Sequence, residues 1–174
     1  MGVYDGAGRL DEGRTDFLIF NDHVFAVTRG SARLLPGVSV NPSRRDALDE
    51  LERCAERGAV LVKVLPNTQA FDPADRRFLP FYAALARLRL PLLSHVGYEF
   101  SIIGQDQSVG DPGRLRAALD EGVTVIAAHG CSSGLFFRER ARSGCKHDFG
   151  RFSAGWSKRS WTARRRVRVP RSRA

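Results

Sequence analysis

The chain alternates short apolar runs with segments of helical periodicity, and this alternation constrains its fold more than any other feature. The first residues of the five apolar runs are separated by 21, 23, 31 and 32 positions, which are lengths typical of strand–helix units. Continuous apolar runs of this kind are typical of parallel strands buried on both faces. The pattern therefore predicts a parallel α/β protein. The five candidate strands are Asp16–Phe20, Gly37–Val40, Val60–Leu65, Pro91–His95 and Val123–Ala128.

Three helices are predicted between these strands from the signals at their ends. One runs from Pro80 to Arg89 after a turn, and another runs from Asp111-Pro112 to Gly122. The first helix has Ser43 as its predicted N-cap and Gly58 as its stop. Its apolar stripe consists of Ala47, Leu48, Leu51, Cys54 and Ala55.

Repeated strand–helix units leave two architectures open. They form part of an eight-stranded (β/α)8 barrel, the TIM-barrel fold, or an open doubly wound sheet. No G-x-G-x-x-G motif follows a strand, which counts against a dinucleotide-binding fold.

The charge distribution divides the chain into two parts. The whole sequence has a net charge of +9, but its last 37 residues contain 13 Lys and Arg against two acidic residues. The first 137 residues therefore carry a net charge of −2 and give no reason to expect a nucleic-acid partner. We predict a folded domain over residues 1–137 and a disordered basic tail over residues 138–174. Alternatively, the tail binds nucleic acid, with Trp156 and Trp161 stacking on bases.

Targeting signals and a disulfide framework are both missing from the sequence. The start of the chain lacks the pattern of a signal peptide, and no apolar run reaches membrane-spanning length. The three cysteines are irregularly spaced and odd in number. We therefore expect a cytoplasmic protein without a membrane partner.

Two histidines occupy equivalent positions, each where an apolar run ends and a glycine-containing turn begins. The segments are Leu92–Gly97, which contains His95, and Val125–Gly130, which contains His129. Reactive side chains collect at the carboxyl ends of strands in strand–helix repeats. Two neutral imidazoles at this edge could share a divalent metal or a proton-transfer task.

The stretch from Pro36 to Gly134 resembles the amidohydrolase-related family of metal-dependent (β/α)8 barrels, a branch of the amidohydrolase superfamily. The order and spacing of several motifs carry this resemblance. They are Gly37-Val38-Ser39-Val40-Asn41-Pro42, Asp49-Glu50-Leu51-Glu52, Val62-Lys63-Val64-Leu65-Pro66, Phe71-Asp72-Pro73, Leu90-Pro91-Leu92-Leu93-Ser94-His95-Val96-Gly97 and Val125-Ile126-Ala127-Ala128-His129-Gly130.

The resemblance implies a partial TIM barrel with about five parallel strands and a divalent metal, most often zinc, at its mouth. In the family the metal activates water for hydrolysis, or serves decarboxylation in some members. His95 matches the family's fifth-strand ligand and His129 its sixth-strand histidine, which acts as a ligand or as a proton-transfer group. No His-x-His motif for the first strand occurs, and no Asp-bearing eighth strand follows. We therefore expect a protein truncated at both ends, with weakened metal binding and open sheet edges that favour self-association.

Lys63 and Glu99 are the predicted substrate-binding residues. Lys63 lies near a strand end, where it could bind an anionic group of a small-molecule substrate, while some superfamily members use such a lysine to bridge two metals. Glu99 precedes a long loop in which Gln105, Asp106 and Gln107 are further candidate contacts. His23 is predicted to be an ordinary loop residue. A zinc knuckle of His129, Cys131, Cys145 and His147 is a less favoured alternative, because its spacing is too tight.

Overall fold

A sheet of four parallel strands forms the centre of the molecule. The computed structural model describes residues 1–104 and 106–129. Within them the strands follow chain order across the sheet: β1 (Gly37–Val38), β2 (Leu61–Val64), β3 (Leu92–His95) and β4 (Val125–Ala128). Each neighbouring pair is parallel, so all four strands end at the same edge. The predicted α/β class is confirmed.

Five α-helices in the described part of the chain connect and cover the strands. They are α1 (Asn21–Thr28), α2 (Ala47–Glu56), α3 (Pro66–Gln69), α4 (Leu79–Leu88) and α5 (Arg116–Asp120). Short 3₁₀ helices occur at Glu12–Arg14, Arg76–Phe78, Ser108–Gly110 and Pro112–Leu115. None of the helices in the described part of the chain is long and apolar enough to span a membrane.

The core lies between the sheet and its helices, because the strands turn apolar side chains toward the inner faces of α2, α4 and α5. Hydrophobic burial of this extent is the main source of stability in a domain of this size. Its fully buried members include Val38, Val62, Leu51, Cys54, Leu85 and Ala118.

The predicted strand Asp16–Phe20 is wrong. The segment passes into α1 without pairing to the sheet, and Phe17, Ile19 and Phe20 are 47%, 46% and 67% exposed. The side chain of Asn21 occupies the position beside the sheet edge. Its Oδ1 accepts from the amide of Ser39 at 2.9 Å, and its Nδ2 donates to the carbonyl of Ser39 at 3.0 Å. A side-chain amide therefore takes the place of a neighbouring strand at this point.

Several predicted helix details also differ from the structure. The first predicted helix begins at Ala47, and Ser43 instead donates its backbone amide to Asn41 Oδ1 at 2.9 Å in the preceding turn. Leu48 is 44% exposed, whereas Glu50 faces inward. His23 lies in α1 rather than in a loop. By contrast, the predicted start at Asp111 is confirmed, since its side chain accepts from the amide of Gly113 at 2.7 Å.

Candidate functional site

The two predicted histidines meet at the carboxyl edge of the sheet. His95 is the last residue of β3 and is paired in register with Ala128 of β4, so that His129 follows immediately. The centroids of the two imidazole rings are 5.0 Å apart, and the ring planes are inclined by 49°. The structure therefore brings together the two side chains that the sequence places at equivalent strand ends.

His129 turns the chain away from β4 in the left-handed backbone region, with φ of 67°. A non-glycine residue rarely adopts this conformation, although histidine does so more often than most. His129 is exposed, whereas His95 is only 7% exposed. One imidazole of the pair is thus accessible from solvent and the other is enclosed by protein.

The surroundings of His95 favour the neutral form of its imidazole. Burial lowers its pKa, while the nearby carboxylate of Glu99 acts in the opposite direction. The charges of His129 and Lys63 also lower this pKa. Nδ1 of His95 lies 3.5 Å from Glu99 Oε2, and Nε2 lies 3.3 Å from the carbonyl oxygen of Tyr98.

Glu99 is buried in the loop after β3, and its carboxylate is already engaged by protein groups. Oε1 accepts from the amide of Ser101 at 2.7 Å, from the Ser101 hydroxyl, and from the amide of Ile102 at 3.3 Å. Burial alone would raise the pKa of Glu99, but these bonds and the neighbouring His95 lower it overall. Glu99 therefore faces His95 rather than open solvent.

Lys63 lies on β2, one strand away from His95, and is half-buried. Burial lowers the pKa of its ammonium group, and the charge of Glu99 opposes this shift. Lys63 is paired in register with Leu93 of β3, two positions before His95. Lys63, Glu99 and His95 all belong to the set of residues that the sequence predicts for the site.

The sequence analysis missed Asn67, a fully buried residue of α3. Its Nδ2 donates to Gln107 Oε1 at 3.0 Å and approaches the carbonyl of Gly97 at 3.3 Å. The long loop folds back over this amide, and a Cβ on Gly110 would collide with the Gly97 carbonyl. The only available signal was a polar residue directly after Pro66 at a strand end.

The other predicted loop contacts have different positions. Gln107 points into the loop and bonds the main chain of Glu99. Asp106 is exposed and accepts from the amide of Ser108 at 2.8 Å. Gln105 lies outside the described residues, as do the predicted basic tail with Trp156 and Trp161 and the alternative zinc ligands, which are Cys131, Cys145 and His147.

The described residues offer only part of a metal site. Two imidazoles sharing a tetrahedral zinc, with Zn–N bonds of about 2.0–2.1 Å, have ring centroids roughly 5 Å apart. The separation of His95 and His129 fits that arrangement. Residues 1–104 and 106–129 contain no group of three or more His, Cys, Asp or Glu side chains able to hold a metal. His95 and His129 are therefore two candidate ligands, whereas a catalytic zinc needs three protein ligands.

A cavity of about 440 Å³ lies elsewhere, between the N-terminal segment, α1 and α2. Two of its arginines are already paired, Arg44 with Asp46 and Arg53 with Glu50. None of the predicted site residues lines it.

A family model described as Amidohydrolase matches residues 3–165. The chain belongs to this amidohydrolase family. The resemblance inferred from the strand-end motifs is confirmed, and the match extends past residue 137, the predicted end of the folded domain. Amidohydrolase-family members include metal-dependent hydrolases and decarboxylases.

The fold of this chain is similar to that of a solved barrel protein. The uncharacterized TIM-barrel protein Bb4693 from Bordetella bronchiseptica matches with a TM-score of 0.56 and 21% identity, over 76% of this chain and 46% of that one. IDCase from Metarhizium anisopliae, solved in apo form, matches at a TM-score of 0.47 and 16% identity, over 90% of this chain and 50% of that one. The second similarity is too low to indicate fold or function. The chain thus spans about half the length of these two proteins, and the first likeness favours the barrel over an open doubly wound sheet. A search of curated proteins found no match.

Proposed function

We propose that this protein is a metal-dependent hydrolase that activates water against a carbonyl or similar electrophile. The observation that supports the proposal is the convergence of His95 and His129 at the carboxyl edge of the sheet, with ring centroids 5.0 Å apart. Amidohydrolase-family membership supports the proposal, because the family includes metal-dependent hydrolases as well as decarboxylases. The edge itself is where active sites of strand–helix barrels lie.

His95 and His129 would hold the metal, with zinc as the proposed ion. A bound zinc would supply positive charge that makes water acidic enough to attack at neutral pH. The pair provides two ligands, and the described residues add no third from a His, Cys, Asp or Glu cluster. Binding by the described part alone should therefore be weak.

Three side chains would take the other roles in the reaction, which are proton transfer, provision of a ring-nitrogen lone pair and substrate binding. In the alternative role, His129 would leave the metal to His95, and its exposed imidazole would take a proton from the attacking water and return it to the leaving group. His95 is kept neutral by burial and retains a lone pair on one ring nitrogen. Lys63 supplies a positive charge that acts on His95, and this charge suits an anionic group on a small-molecule substrate.

Decarboxylation is the second candidate activity, and Lys63 is the observation that favours it. A half-buried ammonium group that acts electrostatically on His95 would bind the carboxylate that such a reaction removes. The two activities release different products. Ester or amide hydrolysis releases an acid and an alcohol or amine, whereas decarboxylation releases carbon dioxide.

Calorimetric titration of the full chain with zinc tests the metal site. We expect measurable binding that weakens on the order of tenfold or more in His95→Ala and in His129→Ala. His23→Ala is the matched control, because His23 is an exposed histidine of α1. Absence of binding in the unmodified chain, or equal binding in all variants, would contradict the proposal.

A further inference from the structure

We propose that Glu99 is a positioning residue that fixes the tautomer of His95, with the proton on Nδ1 and the lone pair on Nε2. The catalytic use of this arrangement rests on the proposed function, because a lone pair on Nε2 matters when His95 binds a metal or accepts a proton. In this role Glu99 would act through His95 and need not contact the substrate.

Both ring nitrogens of His95 face an oxygen atom. Nδ1 lies 3.5 Å from Glu99 Oε2, and Nε2 lies 3.3 Å from the Tyr98 carbonyl oxygen. A neutral imidazole has a single N–H, so one of these oxygens must face a lone pair. A buried carboxylate repels that lone pair more strongly than a carbonyl does, and it is also the stronger acceptor. The proton is therefore expected on Nδ1.

The carboxylate of Glu99 is oriented for this task by its other oxygen. Oε1 accepts from the amides of Ser101 and Ile102 and from the Ser101 hydroxyl. These donors hold one oxygen and leave Oε2 directed at the His95 ring. Glu99 and His95 are only 8% and 7% exposed, so water competes little for this contact.

A second layer of hydrogen bonds holds the main chain of Glu99. Gln107 Oε1 accepts from the Glu99 amide at 2.9 Å, and Gln107 Nε2 donates to the Glu99 carbonyl at 2.8 Å. Asn67 Nδ2 then donates to Gln107 Oε1 at 3.0 Å. Because Asn67 is fully buried in α3, this relay ties Glu99 to the element that follows β2.

The test measures the tautomer directly by NMR on the full chain labelled with ¹⁵N-histidine, without added metal. The spectra are recorded above pH 6.5, the ordinary pKa of histidine, so that His95 is neutral. Signals of His95 are identified by their loss in His95→Ala. We expect the unmodified protein to carry the proton on Nδ1. In Glu99→Gln the new amide can donate to Nδ1, so the proton should move to Nε2.

Glu50→Gln is the matched control. Glu50 is also 8% exposed, but it lies on α2 and bonds Asn21 and Arg53. This variant should leave the His95 tautomer unchanged while testing the general cost of neutralising a buried carboxylate. A proton on Nε2 in the unmodified protein, or the same tautomer in Glu99→Gln, would overturn the proposal.

Gln107→Ala provides a second variant that leaves both His95 and the Glu99 carboxylate in place. Loss of the two main-chain bonds should give a mixture of the tautomers, and a spectrum identical to that of the unmodified protein would refute the relay. The outcome is independent of the zinc titration. A tautomer change without zinc binding would reject the proposed function and leave the role of Glu99 standing.

Discussion

His95 couples the stability of the protein to pH through its burial. The folded-state pKa is lowered, chiefly by burial and also by the charges of His129 and Lys63. As the pH falls below 6.5, the unfolded chain therefore binds a proton at this residue before the folded protein does. The contribution of His95 to stability is present above that pH and decreases from there down to the folded-state pKa.

We predict that His95→Gln makes stability less sensitive to this pH range. The measurement is denaturant unfolding at about pH 7.5 and about pH 5.5, on either side of the ordinary histidine pKa. The unmodified protein should lose more free energy of unfolding between these two conditions than His95→Gln does. His23→Gln, at an exposed position on α1, should behave like the unmodified protein. An identical loss in all three proteins would contradict the prediction.

At the residue scale, the sequence predicted the positions of the two histidines. It did not predict the hydrogen bonds from Asn67 and Gln107 that hold Glu99 beside His95. Each histidine follows a recognisable strand, and parallel strands bring their ends together, so His95 and His129 could be paired from local patterns. The relay from Asn67 to Gln107 joins residues 40 positions apart through a loop that folds back. No local periodicity specifies such a contact.

Two leucines of helix α2 differ in their exposure to solvent although they are only three positions apart. Leu51 is completely buried, whereas Leu48, three positions earlier, is 44% exposed. The sequence pattern assigned both to one apolar stripe, because hydrophobicity alone does not fix the rotation of a helix. In the structure Glu50 takes an inward position, since Asn21 and Arg53 satisfy its carboxylate.

We predict that Leu51→Ala lowers the free energy of unfolding by about 2–5 kcal/mol, the usual cost of such a cavity. Leu48→Ala on the same helix should cost well under 1 kcal/mol, in the range of surface substitutions away from special features (~0.5 kcal/mol). Urea unfolding monitored by circular dichroism measures both values. Equal losses in the two variants would show that α2 packs with a different face.

At the element scale, four of the five predicted strands exist. These runs formed strands that place alternate side chains in the core, as Val62 and Val64 of β2 show. Asp16–Phe20 has a similar composition, but its place beside Ser39 is taken by Asn21. Composition therefore predicted the four strands that contribute to the core. It failed for Asp16–Phe20, because the side chain of Asn21 bonds the sheet edge at Ser39 instead.

At the scale of the whole molecule, the described part of the sheet has an edge strand on each side. Among residues 1–104 and 106–129, β1 and β4 each pair with a strand on one side only. Ile126 of β4 is 44% exposed. Unpaired strand edges with apolar side chains promote association with other chains.

We therefore predict concentration-dependent self-association of the protein, measured by sedimentation velocity. Ile126→Lys should shift the population toward monomer, because a charged side chain disfavours strand addition. Val27→Lys is the control, at a 56% exposed position on α1 rather than on a strand. Monomeric behaviour of the unmodified protein at all concentrations, or equal shifts in both variants, would contradict this expectation.

Asn21 blocks strand addition at one edge of the described sheet, beside β1, and leaves the edge beside β4 for extension. Its side-chain amide copies a peptide group and satisfies both backbone groups of Ser39, and Glu50 fixes its orientation by accepting from Nδ2 at 2.6 Å. An incoming strand would have to displace the Asn21 side chain from Ser39 before it could pair at the carboxyl end of β1. Extension of the barrel wall, whether by another molecule or by a designed segment, should therefore begin beside β4.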